Sequence, residues 1–120
     1  FQRPALPALA LTTDTSFITA HANDVSFDEI FERQVQALGK SGDVLIGITT
    51  SGNSPNVLRA IAAAKKLKMK TIALTGDGGV IVDQVDVAIK VPSANTQYIQ
   101  ESHLAIEHIV CDLVEQLLFK

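Results

Sequence analysis

Thr49-Thr50-Ser51-Gly52-Asn53-Ser54 packs four hydroxyl side chains, a glycine and an amide into six residues, directly ahead of Pro55. Ser54 is a good helix N-cap, and Pro55 suits the first helical position, where its missing N–H costs nothing. A turn of this kind aims unpaired backbone N–H groups, a helix dipole and hydroxyls at one point, and Gly52 lets the backbone approach whatever sits there. The natural occupant is an anion, above all a phosphate monoester. A strand-to-helix turn that binds nothing would use some of the same residue types, but four hydroxyls favour the phosphate. The segment has no lysine of a GxxxxGK[ST] loop and no GxGxxG. Triphosphate and dinucleotide readings are therefore weak, and a small sugar phosphate held by neutral donors is the expectation.

The second chemistry-bearing stretch is Gln100-Glu101-Ser102-His103-Leu104-Ala105-Ile106-Glu107-His108. On a helix, His108 falls with Glu101, Asp112 and Glu115, away from most of the apolar seam Ile106, Ile109, Val110, Leu113, Val114, Leu117 and Leu118. That position suits a solvent-exposed histidine beside carboxylates. It also suits a general acid or base, because imidazole titrates near neutrality. His103 reads as exposed for the same reason, and Glu101 and Glu107 as surface charges. The pair of histidines has no recognised metal spacing by itself.

These groups need a scaffold. Asp43 to Ile48 is a nearly continuous apolar run, as in a parallel strand buried on both faces. Pro55 to Lys66 repeats apolar residues at helical spacing, with Val57, Leu58, Ile61, Ala62 and Leu67 as the buried stripe, and Lys70 to Thr75 reads as the next strand. Together they form a βαβ unit, for which a right-handed crossover is the rule. Ala8 to Leu11 is expected as a first strand, and Val85 to Val91 as a last one. Helices are expected from about Ser16 to His21, broken by Asn23-Asp24, from Phe27 to Leu38, stopped by Gly39, and from Thr96 to Phe119. Lys65, Lys66, Lys68 and Lys70 look like a solvated helix end. Strands alternating with helices and no hairpin turns predict a three-layer α/β sandwich with a parallel sheet, flavodoxin-like or Rossmann-like. In such sheets ligands bind beyond the carboxyl ends of the strands. Thr12–Thr15, Thr49–Ser54 and Gly76–Gly79 are expected to converge on that rim.

Composition narrows the function classes. The 120 residues are 47% hydrophobic, enough for one domain and one core. A formal net charge of -3 argues against a surface built to neutralise nucleic-acid phosphates, and 5% aromatic content without tryptophan argues against base stacking. No apolar run reaches membrane-spanning length and no signal-peptide layout opens the chain, so a cytoplasmic protein is expected. Cys111 stands alone, which excludes a disulfide framework and a cysteine-based zinc site.

The blocks Asn23-Asp24, Phe27-Asp28-Glu29-Ile30-Phe31, Gly42 through Ile61, Lys70 through Gly79 and Tyr98 through Glu115 together resemble the sugar isomerase (SIS) domain, and within it the phosphoheptose isomerase family. The likeness runs over essentially all of the chain in matching order and spacing. It implies conversion of sedoheptulose 7-phosphate to D-glycero-D-manno-heptose 7-phosphate, a precursor step for the lipopolysaccharide core. It implies that Thr49, Thr50, Ser51 and Ser54 bind the substrate phosphate; the family more often has serine at the position of Thr49. Asn23 and Asp24 would contact the substrate. Gln100 would contact the sugar, and His108 would be the catalytic acid/base. In zinc-containing members Gln100 and His108 would also be metal ligands, one ion per subunit, with no nucleotide cofactor. A homotetramer is implied, with the site completed across subunits. The family also carries an N-terminal helix, a first strand with an Asn-Gly-Gly-Ser loop, and a helix bearing a partner Glu and a His ligand. None of these is in the chain, which therefore reads as an SIS domain over residues 1–120 lacking its N-terminal segment. Two rivals resemble the chain less. A non-catalytic adaptor such as the DnaA initiator-associating protein has Asn where this chain has His108, and a sugar-phosphate-sensing regulator would need a DNA-binding segment.

Overall fold

The computed structural model describes residues 2–119. Helix α1 (Thr15–Asp24) is capped by Asp14, whose carboxylate accepts from the Phe17 N–H. A 3₁₀ turn (Phe27–Glu29), capped by Ser26, leads into α2 (Ile30–Leu38). Strand β1 (Val44–Thr49) starts one residue later than expected and is buried on one face only, because no element among the described residues covers Val44, Ile46 and Ile48. Helix α3 (Pro55–Lys66) and strand β2 (Lys70–Thr75) follow as the sequence predicts. A second 3₁₀ turn (Val80–Gln84) precedes β3 (Val87–Lys90), and α4 (Thr96–Phe119) ends the described chain.

The sheet is parallel, in the order β1-β2-β3, with Val44 level with Lys70 and Ile72 level with Val87. Because side chains alternate along a strand, its two faces differ. Leu45, Gly47 and Thr49, with Thr71, Ala73 and Thr75, point toward α3, and all six are buried or half-buried. Alanines 60, 63 and 64 bring α3 close enough to pack with Val35 of α2 and with Met69, while Ile61 meets Ala73 and Ile81. On the opposite face Leu74 is buried, but Val44, Ile46, Ile48 and Val87 are exposed. Only the first turns of α4 lie against the sheet, through Ile99 and His103, the two buried residues of that helix. The architecture is thus helices, parallel sheet and helix, with the second helical layer covering only part of its face.

Several sequence expectations change. Ala8–Leu11 makes no strand; Leu11 instead packs beside Val35 and Met69, and its carbonyl accepts from the Gln34 side chain. A strand needs a neighbour's ladder, and periodicity alone does not supply one. Thr12–Thr15 accordingly leads into α1 beside α2 and does not join the rim. Asn23 and Asp24 lie inside the last turn of α1 and do not interrupt it. The strand expected over Val85–Val91 is shorter, and Ala62 is exposed while its alanine neighbours carry the α3 contact. The α4 seam from Ile106 to Leu118 is not core: Ile109, Leu113 and Leu117 are exposed, the last at 82%.

Candidate functional site

Strand β1 delivers Thr49 and Thr50 to its carboxyl end, and α3 starts at Pro55, so the six-residue turn has to reverse the chain in a small space. It does so with Gly52 at φ +68 and Gly79 of the next loop at φ +97, both in the region that favours glycine. The two loops are stitched together. The Gly76 N–H donates to the Thr50 carbonyl (3.1 Å), the Ile81 N–H to the Gly52 carbonyl (3.1 Å), and the Val80 N–H to Asn53 Oδ1 (2.9 Å). A Cβ on Gly52 would stand 2.1 Å from the Gly78 carbonyl oxygen.

Within the turn the hydroxyls converge. Thr49 Oγ1 lies 2.7 Å from Ser54 Oγ and 3.4 Å from Ser51 Oγ, and Ser51 Oγ also accepts the Asn53 N–H. Ser54 is therefore not a side-chain cap of α3; its hydroxyl turns to Thr49 instead. Three hydroxyl protons serve two mutual contacts, so one is free to point outward. Among the described residues, the backbone N–H groups of Thr50, Ser51 and Ser54 have no hydrogen-bond partner. The donors expected for an anion are present, together with the α3 N-terminus.

Thr49, Thr50 and Ser54 line a cavity of about 370 Å³ with Ile48 and, from α4, Gln100, His103, Leu104 and Glu107. Gln100, His103, Leu104 and Glu107 form one stripe on α4 at helical spacing. The cavity wall carries no lysine or arginine, and its one acid, Glu107, belongs to the set first read as surface charge. His103 overturns its expected exposure: it is 2% exposed, and its Nε2 sits 3.1 Å from the Thr75 carbonyl oxygen, fastening α4 to the end of β2. The sequence signal was Ile99 and His103 four residues apart, a short inward face hidden by the longer apolar seam that follows.

The remaining expected residues lie elsewhere. Ser51 is exposed at the turn and outside the cavity wall. Asn23 and Asp24 are exposed, with Asn23 Nδ2 donating to Asp24 Oδ1 at 2.7 Å. His108 is exposed, five residues past His103 and so about 140° around the helix at 3.6 residues per turn. Gln100 and His108, the residues through which a zinc ion would be held, are separated by about 12 Å of helix rise. Among the described residues there is no group of three His, Cys, Asp or Glu side chains that could hold a metal ion. The residues present do not make a zinc site by themselves. No helix among them is long and apolar enough to cross a membrane.

The SIS domain family model matches residues 1–76. The chain is similar to the phosphoheptose isomerase of Geobacter sulfurreducens, 58% identical over 119 residues, covering 98% of this chain and 63% of that protein. It is 52% identical to the phosphoheptose isomerase of Sulfurimonas denitrificans over 120 residues, covering 99% of this chain and 62% of that one. Among solved structures, a phosphoheptose isomerase from Francisella tularensis superposes with a TM-score of 0.91 at 48% identity, covering 95% of this chain and 62% of the other. The enzyme from Neisseria gonorrhoeae does so with a TM-score of 0.86 at 52% identity, covering 88% and 61%. The chain thus spans about three-fifths of the length of the relatives it matches.

Proposed function

Because this chain belongs to the SIS domain family, with the parallel α/β fold of the solved isomerases it matches, we propose that it forms the phosphate-gripping part of an aldose–ketose isomerase acting on sedoheptulose 7-phosphate. The single observation that carries the reading is the meeting of Thr49, Thr50 and Ser54 of the turn with Gln100 of α4 around one cavity. Thr50, Ser51 and Ser54 amides and the loop hydroxyls hold the phosphate. That grip anchors the far end of the sugar, so that remote binding energy goes into orienting the reacting carbons. Gln100 faces the sugar from α4, and Asn23 and Asp24 contact it from a neighbouring part of the assembly.

The chemistry moves one proton between adjacent carbons. A base removes the proton from the hydroxyl-bearing C1 of the ketose, an enediol forms, and the proton returns at C2. Meanwhile the O1 hydroxyl gives up its proton to become the aldehyde, and O2 gains one. His108 serves as one acid/base, and its exposed position on the far side of α4 calls for a second body against that face. The exposed apolar residues Ile109, Leu113 and Leu117 beside it support a homotetrameric assembly that completes the site. A cytoplasmic place and a role in making lipopolysaccharide core heptose go with this reading, as does a zinc ion held in part by Gln100 and His108.

The test is turnover of sedoheptulose 7-phosphate by the full-length protein, followed by proton NMR with and without a chelator. Appearance of the aldose supports the proposal, and chelator sensitivity supports zinc. Tight binding without turnover would leave a non-catalytic sugar-phosphate module.

A further inference from the structure

His103 carries one unexplained atom. A carbonyl oxygen can only accept, so the 3.1 Å contact with the Thr75 carbonyl places the proton on Nε2 and leaves Nδ1 as a lone-pair acceptor. Nδ1 is buried without a partner, on a side chain that is 2% exposed and lines the cavity of Thr49, Ser54 and Gln100. Buried acceptors left without donors are rare because each forfeits its hydration. We propose that His103 is a substrate-positioning residue whose Nδ1 accepts a hydrogen bond from a carbon-bound hydroxyl of the sugar phosphate. The inference rests on the isomerase reading and deepens it.

The cavity's polarity gives the assignment direction. The β1–α3 turn offers donors: free amides, a spare hydroxyl proton and the positive end of α3. The α4 wall carries an acid, Glu107, and His103, whose buried Nδ1 has no partner. A phosphate, itself all acceptors at neutral pH, is repelled by the second wall and drawn to the first. A polyol chain, whose hydroxyls donate, fits the second. The two walls together fix which end of the substrate lies where. They also account for an acid lining a cavity that takes an anion: Glu107 faces the hydroxylated end.

The test separates the acceptor from the strut. In His103→Gln the amide nitrogen reaches as Nε2 does and can still donate to the Thr75 carbonyl, but nothing replaces Nδ1. By titration calorimetry on the full-length protein, the variant should bind sedoheptulose 7-phosphate about five- to tenfold more weakly, the worth of one hydrogen bond, and inorganic phosphate within about twofold of wild type. Equal losses for both ligands would reduce His103 to a structural strut, and no loss for either would remove it from recognition. Should His103→Gln fail to fold, the wild-type protein decides through the nitrogen-15 resonance of Nδ1. That signal should move when the sugar phosphate is added and stay still with inorganic phosphate; a signal that stays still with both overturns the proposal. A wild-type protein that does not bind the sugar phosphate at all sinks the isomerase reading and this inference together. One that turns it over while His103→Gln behaves identically sinks the inference alone.

Discussion

Replacing Gly52 by alanine should separate the two stitched loops, and the size of the effect can be worked from the geometry. The new Cβ would lie 2.1 Å from the Gly78 carbonyl oxygen, 2.8 Å from Gly79 Cα and 2.9 Å from Thr75 Oγ1, all but the last of them backbone. The positive φ itself costs an alanine about 1 kcal/mol after allowing for its stiffer unfolded chain. Relieving the clash means pushing the Gly76–Gly79 loop away, which breaks the Ile81–Gly52 and Val80–Asn53 hydrogen bonds at about 1 kcal/mol each. The sum is about 3 kcal/mol. Gly42 is the control: its φ is +94, yet a Cβ there meets nothing within 4 Å, so Gly42→Ala should cost only the backbone part, about 1 kcal/mol. Urea unfolding followed by circular dichroism would resolve the pair, since a 2 kcal/mol gap displaces the midpoint by about 1 M at an m-value of about 2 kcal/mol/M. If Gly52→Ala fell within about 0.5 kcal/mol of Gly42→Ala, the two loops would not be the single unit described here.

His108→Ala in the full-length protein should lower kcat by about 10²- to 10⁴-fold; near-normal turnover would remove it from the chemistry. Asp86 accepts from both the Thr71 N–H (2.8 Å) and the Thr71 hydroxyl (3.0 Å), and these bonds hold its carboxyl below the ordinary 3.8. A carboxyl depressed in the folded state adds stability above its unfolded value and loses it as pH falls through the folded one. Acid titration of stability should therefore show a decline that begins near pH 3.8 and continues below it, and Asp86→Asn should flatten that segment; an unchanged slope would refute the Thr71 anchor.

The β1–α3–β2 unit was legible almost to the residue because its signals are local: a β-rich apolar run, proline at the first helical position, and alanines at helical spacing. The hydroxyl turn was legible for the same reason. What was not legible depends on partners distant in sequence. Ala8–Leu11 has strand composition, but whether a strand forms is decided by an adjacent edge. The α4 seam from Ile106 onward has the pattern of core, yet this chain's own sheet reaches only Ile99 and His103. His103 was misread because it was judged against the apolar seam that starts at Ile106, whereas it packs inward and meets the Thr75 carbonyl 28 residues earlier. That Gln100 shares a cavity with Thr49, Thr50 and Ser54, and His108 does not, follows from the rotation of α4 against β2, which no local pattern encodes.

The tie between the two loops bears on when ordering is done. Thr50, Gly52 and Asn53 are each held by an amide of the neighbouring loop before any ligand arrives, so their conformational entropy is surrendered during folding. On the proposed reading, the phosphate would meet a preorganised cradle and lose chiefly its own freedom and its water shell. For the proposed phosphate, the ordering of these three residues is a cost of folding and not of binding.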